Sequence, residues 1–87
     1  MAREPFMPTE ETVVSIWTRV LRIRPTSRDD DFFDLGGTSF GLMEFLQQVS
    51  DEYGVELDMG ELFESHFTVG VCARAIDRAR GVPAVSP

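Results

Sequence analysis

The sequence predicts an all-α fold, a small four-helix bundle of three longer helices and one short one. Three observations point to it. Apolar residues recur at helical spacing in three separate stretches. Each stretch opens on a hydroxyl residue suited to cap a helix and closes on Gly or Pro. No run alternates polar and apolar residues long enough to make a strand. At 87 residues the chain has room for a single domain with a compact core.

Residues 1–8 contain two prolines and read as a flexible lead-in. Thr9 is the expected N-cap of the first helix, with Glu10 and Glu11 complementing the positive end of its dipole. Val13, Ile16, Trp17 and Val20 form the inward stripe, widened by Val14 and Leu21, and Pro25 prevents continuation beyond about residue 22. A connection over 23–38 follows. A loop of this length is usually functional. Phe32, Phe33 and Leu35 are expected to pin it to the core, while Asp29, Asp30 and Asp31 face water.

The second helix is expected from Thr38 or Ser39 to Tyr53, with Gly54 as its stop. At 100° per residue, Leu42, Phe45, Leu46, Val49 and Tyr53 fall within an arc of about 100° and face the core. Phe40, Glu44, Gln47 and Asp51 fall on the solvent side, with Met43 at the border. Val55-Glu56-Leu57-Asp58 is a short extended piece, and 59–64 can make the short helix. Thr68 caps the last helix, whose inner face is Val69, Cys72, Ala73, Ile76 and Ala79; Gly81 and Pro83 end it. The domain is placed at 9–80, followed by a loose tail over 81–87.

The formal net charge is −7, from 15 acidic residues against eight arginines and no lysine. An acidic surface repels nucleic acid and anionic membranes and favours partners with basic docking faces. One cysteine, Cys72, permits neither a disulfide framework nor a thiolate metal site. No apolar run resembles a signal peptide or a membrane span, so a cytoplasmic location is expected by default. Met1 and the ending Val85-Ser86-Pro87 read as the bounds of a whole gene product.

The chemistry concentrates in Asp34-Leu35-Gly36-Gly37-Thr38-Ser39-Phe40. Two glycines precede hydroxyl residues at the mouth of a helix. Glycine permits a sharp turn and close approach, and a helix N-terminus offers free N–H groups and partial positive charge that favour a phosphate. On these grounds alone, Ser39 or Thr38 could equally be a simple cap. Gly37-Thr38-Ser39-Phe40-Gly41 also matches the G-x-S-x-G elbow of serine hydrolases, with Asp58 and His66 following in order. That elbow requires a preceding strand and a large sheet, which this chain cannot hold. The aspartates lack calcium-loop spacing, with Phe32 and Phe33 where ligands would be needed. His66 reads as a surface loop residue, Cys72 as a small buried hydrophobe, Trp17 as core, and Arg74, Arg78 and Arg80 as a partly solvated face.

The run Phe32-Phe33-Asp34-Leu35-Gly36-Gly37-Thr38-Ser39-Phe40 resembles the attachment motif of peptidyl carrier proteins, the thiolation domains of nonribosomal peptide synthetases. Phe33, Leu35, Gly36, Gly37 and Ser39 match the pattern, and Asp34 is an acceptable variant. The flanks Val13–Leu21, Val55-Glu56-Leu57, Leu62-Phe63 and Phe67-Thr68-Val69 extend the resemblance over about residues 10–80. Phe40 stands where the family more often has Leu or Ile, and Gly41 is an unusual residue for a first helical turn.

The resemblance implies a bundle of the acyl carrier protein type and a non-catalytic carrier; with the chain ends read as above, a free-standing one is expected, and a monomer. It implies 4′-phosphopantetheine on Ser39, framed by Gly36, Gly37 and Thr38, and no metal. A phosphopantetheinyl transferase using coenzyme A and Mg²⁺ would modify Ser39. An adenylating enzyme would load the arm with an aminoacyl, aryl or acyl group, and condensation or tailoring enzymes would take it off. Phe40 and Met43, extended by Glu44 and Gln47, are the expected partner-binding face, since exposed apolar residues beside the arm suit a docking site. An unmodified helical adaptor binding through Phe40 and Met43 is the alternative.

Overall fold

The computed structural model describes residues 6–58, 60, 62 and 66–81. Three helices are described: α1 (Pro8–Leu21), α2 (Ser39–Tyr53) and α3 (Val69–Ala79), with α1 packed against both others. No strand is present among the described residues beyond one isolated bridge between Asp31 and Thr68.

Helix α1 begins one residue earlier than the expected cap. Pro8 occupies its first turn, where the missing N–H costs nothing and the fixed φ is already helical. The Glu10 carboxylate accepts the Met7 N–H at 2.8 Å, closing the end from inside the helix. Thr9 is therefore not the cap; its hydroxyl donates to Asp77 Oδ1 of α3 at 2.7 Å. Glu10 is nearly buried, and Arg28 Nε lies 3.3 Å from its second oxygen. The helix closes at Arg22, which takes a left-handed conformation (φ 62°) and donates its N–H to Thr18 O. Helix α2 ends as expected, on Gly54 with φ 69°.

The core is an aromatic triangle wrapped in aliphatic side chains. Trp17 meets Phe32 and Phe45 edge-on, with centroids 5.2 and 6.2 Å apart, and all three are fully buried. Val13, Val14 and Ile16 of α1, Leu42 and Val49 of α2, and Val69, Cys72 and Ile76 of α3 complete it. Ala79, expected on the inner face of α3, is exposed, because the last turn of α3 has run past the end of the core. Ala75 is buried instead.

The long connection is stitched to the start of α3. Phe32 N–H donates to Phe67 O at 2.8 Å, Val69 N–H to Asp30 O at 3.1 Å and Gly70 N–H to Arg28 O at 2.9 Å. The acidic run is a set of turn locks, not a simple solvated stretch. Asp30 Oδ2 accepts the amides of Thr26 and Ser27, and Asp31 Oδ1 those of Phe33 and Asp34. Asparagine and aspartate hold turns in this way because their short acceptors reach their own backbone.

Of the three anchors expected in this loop, Phe32 is fully buried and Leu35 half-buried. Phe33 is exposed, its ring resting edge-on against Phe32 and Phe67. Once Phe32 N–H is paired inward with Phe67, its neighbour's side chain is carried outward. The Arg80 guanidinium, expected on a solvated face, stacks 4.5 Å over the Tyr53 ring. Residues Met59, Glu61, Phe63 and Glu64 of the expected short helix, together with most of the lead-in and tail, lie outside the described residues.

Candidate functional site

The site is built by the turn that feeds α2. Asp31 starts it: its carbonyl accepts Leu35 N–H at 3.1 Å while its carboxylate holds the two amides before that. Gly36 N–H then bonds Phe33 O, and Gly37 N–H bonds Phe32 O at 2.9 Å. Gly36 has φ 98°, a region where a side chain would be strained. Gly37 is needed for another reason: a Cβ there would lie 2.3 Å from the Phe32 ring. One glycine turns the chain, and the other lets it lie flat on the buried aromatic.

The pair Thr38-Ser39 divides the work that either could do. Thr38 is extended (φ −120°, ψ 169°), and its Oγ1 accepts the Gly41 N–H at 3.1 Å. Thr38 is thus the cap, and Ser39, the first helical residue, is left with an exposed hydroxyl. The Leu42 amide goes to Thr38 O, the first bond of the helix proper. The amides of Ser39 and Phe40 remain for solvent or an anion. The first turn of α2 contains no acidic residue, whereas that of α1 holds Glu10 and Glu11. Negative charge at this end is left open to something outside the helix.

Around Ser39 the structure gathers Gly36, Gly37, Thr38, Phe40 and Met43. Phe40 is 73 % exposed and Met43 68 %, the two largest exposures among the big apolar side chains of the described residues. Glu44 and Gln47 are also exposed and lie farther along α2. Gln47 Nε2 donates to Asp51 Oδ1 at 3.1 Å, so its amide is engaged away from the Ser39 end.

Besides Met7 ahead of α1, Phe33 and Ile23 are exposed apolar residues that were not among the expected site residues. Phe33 adjoins the turn at 41 % exposure, and Ile23, at 48 %, stands between Arg22 and Arg24 just past α1. A signal for Phe33 was present: two consecutive phenylalanines in a turn rarely both point inward. For Ile23 it was the flanking charged pair.

The geometry bears on the other chemical features of the sequence as well. Residues 32–36 form turns and 37–38 are irregular, so no strand leads into Ser39 and the hydrolase elbow is absent; His66 is exposed. No cluster of three or more potential metal ligands occurs among the described residues. Burial, assisted by the charge of Asp31, pushes the Cys72 thiol up to about 12. It stays protonated and unreactive at neutral pH. No described helix is long and apolar enough to cross a membrane.

The chain is similar to known proteins over most of its length. The family model described as "Phosphopantetheine attachment site" matches residues 11–76. Surfactin synthase subunit 1 of Bacillus subtilis is 38 % identical over 80 residues, covering 91 % of this chain and 2 % of that protein. Tyrocidine synthase 3 of Brevibacillus parabrevis is 44 % identical over 70 residues, 80 % of this chain and 1 % of its own length. The chain therefore corresponds to a small part of these relatives. A chain of the solved complex of phosphopantetheine transferase Sfp with coenzyme A and a peptidyl carrier protein superposes with a TM-score of 0.77. It is 31 % identical, and the match covers 88 % of this chain and 99 % of that one.

Proposed function

The chain belongs to the phosphopantetheine attachment site family, and from that membership we propose that it is a non-catalytic carrier holding 4′-phosphopantetheine on Ser39. The observation that carries the choice of residue is the split between the two hydroxyls. Thr38 is committed to the cap, and Ser39 is exposed at the head of α2. The residues present fit the group: the first turn carries no carboxylate, two amides are left for an anion, and the Ser39 side chain is exposed.

When bound, the group supplies a terminal thiol that takes an aminoacyl, aryl or acyl cargo as a thioester. The protein's part is to present and to be recognised. Ser39 Oγ forms the new bond to phosphorus and loses its proton, and the adenosine bisphosphate half of coenzyme A departs. The transferase supplies the base and Mg²⁺. Gly36 and Gly37 shape the approach. Phe40 and Met43, with Glu44 and Gln47 farther out, form the surface on which the transferase, a loading enzyme and condensation or tailoring enzymes dock in turn. Tethering raises the effective concentration of the cargo at each of these enzymes. The relatives, a dimodular nonribosomal peptide synthase among them, support nonribosomal peptide synthesis as its setting.

The test is the intact mass of the purified chain before and after incubation with coenzyme A, Mg²⁺ and a broad-specificity phosphopantetheinyl transferase. One phosphopantetheinyl group is expected on the wild type and none on Ser39→Ala. An unchanged mass on folded wild-type protein sinks the reading and favours an unmodified adaptor. Modification of Ser39→Ala moves the attachment elsewhere.

A further inference from the structure

A glycine in the first turn of a helix is an unfavourable choice, because it orders more backbone than Ala would and adds no side chain to pack. Gly41 occupies that place in α2 with no positive φ to require it. Its surroundings supply the reason. A Cβ there would meet Val20 Cγ1 at 3.1 Å and Phe32 Cζ at 3.4 Å. Gly41 itself is buried, and its N–H is held by the Thr38 cap. The bare backbone of α2 thus rests directly on the last turn of α1 and on the rim of the core aromatic.

At 3.6 residues per turn, Ser39 lies nearly opposite Gly41 around the helix, and Phe40 stands to one side. Whatever sets the depth of Gly41 therefore sets how far Ser39 and Phe40 project. We infer that Gly41 is a positioning residue: its lack of a side chain seats the first turn of α2 against Val20 and Phe32, which fixes Ser39 and Phe40 in the pose that a transferase reads. This inference rests on Ser39 as the attachment point.

The experiment compares wild type, Gly41→Ala, Val20→Ala and the double variant. Steady-state modification kinetics use coenzyme A and the broad-specificity transferase, and backbone amide spectra of the unmodified proteins are recorded alongside. Gly41→Ala should stay helical and cooperatively folded, since Ala is the better helix former. Its kcat/KM should fall several-fold, with KM carrying most of the change. Its Ser39 and Phe40 amide resonances should shift more than those of α3. Removing the opposing methyl with Val20→Ala should return both readouts towards wild type in the double variant.

Wild-type kinetics for Gly41→Ala, or a double variant no better than the single one, overturns the seating role. Should the wild type itself resist modification, the Ser39 assignment fails. The amide shifts and their reversal then decide the seat: unmoved Ser39 and Phe40 resonances overturn it.

Discussion

Helix α2 carries large apolar side chains on two sides, and the protein treats them oppositely. Phe45 is fully buried against Trp17 and Phe32, whereas Phe40 and Met43 stand more than two-thirds in water. Hydrophobicity is common to both sets, so it cannot explain the difference; position around the helix does. The buried side closes the core, which is what holds a domain this small together. The exposed side stabilises nothing visible and clusters at the end that bears Ser39. On the proposed function, this apolar pair beside Ser39 is a surface that partner enzymes cover in turn.

Breaking the buried side should produce the largest effect. Phe32→Ala removes the ring that touches Trp17, Phe45 and Phe33, and should cost about 3–5 kcal/mol in urea unfolding. Against the few kcal/mol that a small domain possesses, that leaves a largely unfolded chain. A cooperative transition near the wild-type midpoint would contradict the aromatic triangle as the core. Gly37→Ala attacks the same ring from the loop, forcing a methyl into a place 2.3 Å from it. Overpacking of this kind should cost roughly 1–3 kcal/mol. The same variant should also be modified more slowly, because the turn that leads to Ser39 must move.

The exposed side sharpens the comparison by its lack of effect. Phe40→Ala and Met43→Ala should shift stability by no more than about 0.5 kcal/mol. Both should still raise the transferase's KM. Substantial destabilisation by Phe40→Ala would show that this ring folds back onto the protein and belongs to the fold.

Much of this was legible in the residues. The 3.6-residue stripes located all three described helices, and Gly54 and Thr68 marked boundaries that stand where expected. Those signals are local, since capping and amphipathicity depend on neighbours within a turn or two. Errors fell where a distant partner competed. Thr9 has the chemistry of a cap, but Asp77 of α3 lies within reach and takes its hydroxyl. Asp30 and Asp31 have the chemistry of a solvated stretch, yet their carboxylates hold turns whose shape is set by pairing with 67–70.

The sequence by itself determined the helical class, the placement of the glycine-glycine-hydroxyl turn at the mouth of α2, and the resemblance that ties this turn to a phosphopantetheine arm. All of these are written in short-range spacing. Only the tertiary structure decided which hydroxyl is free, which phenylalanine of the pair is buried, and why Gly41 is tolerated. Each depends on how closely α2, α1 and the 23–38 loop approach one another. That distance is set by side chains far apart in the chain, and no local pattern encodes it.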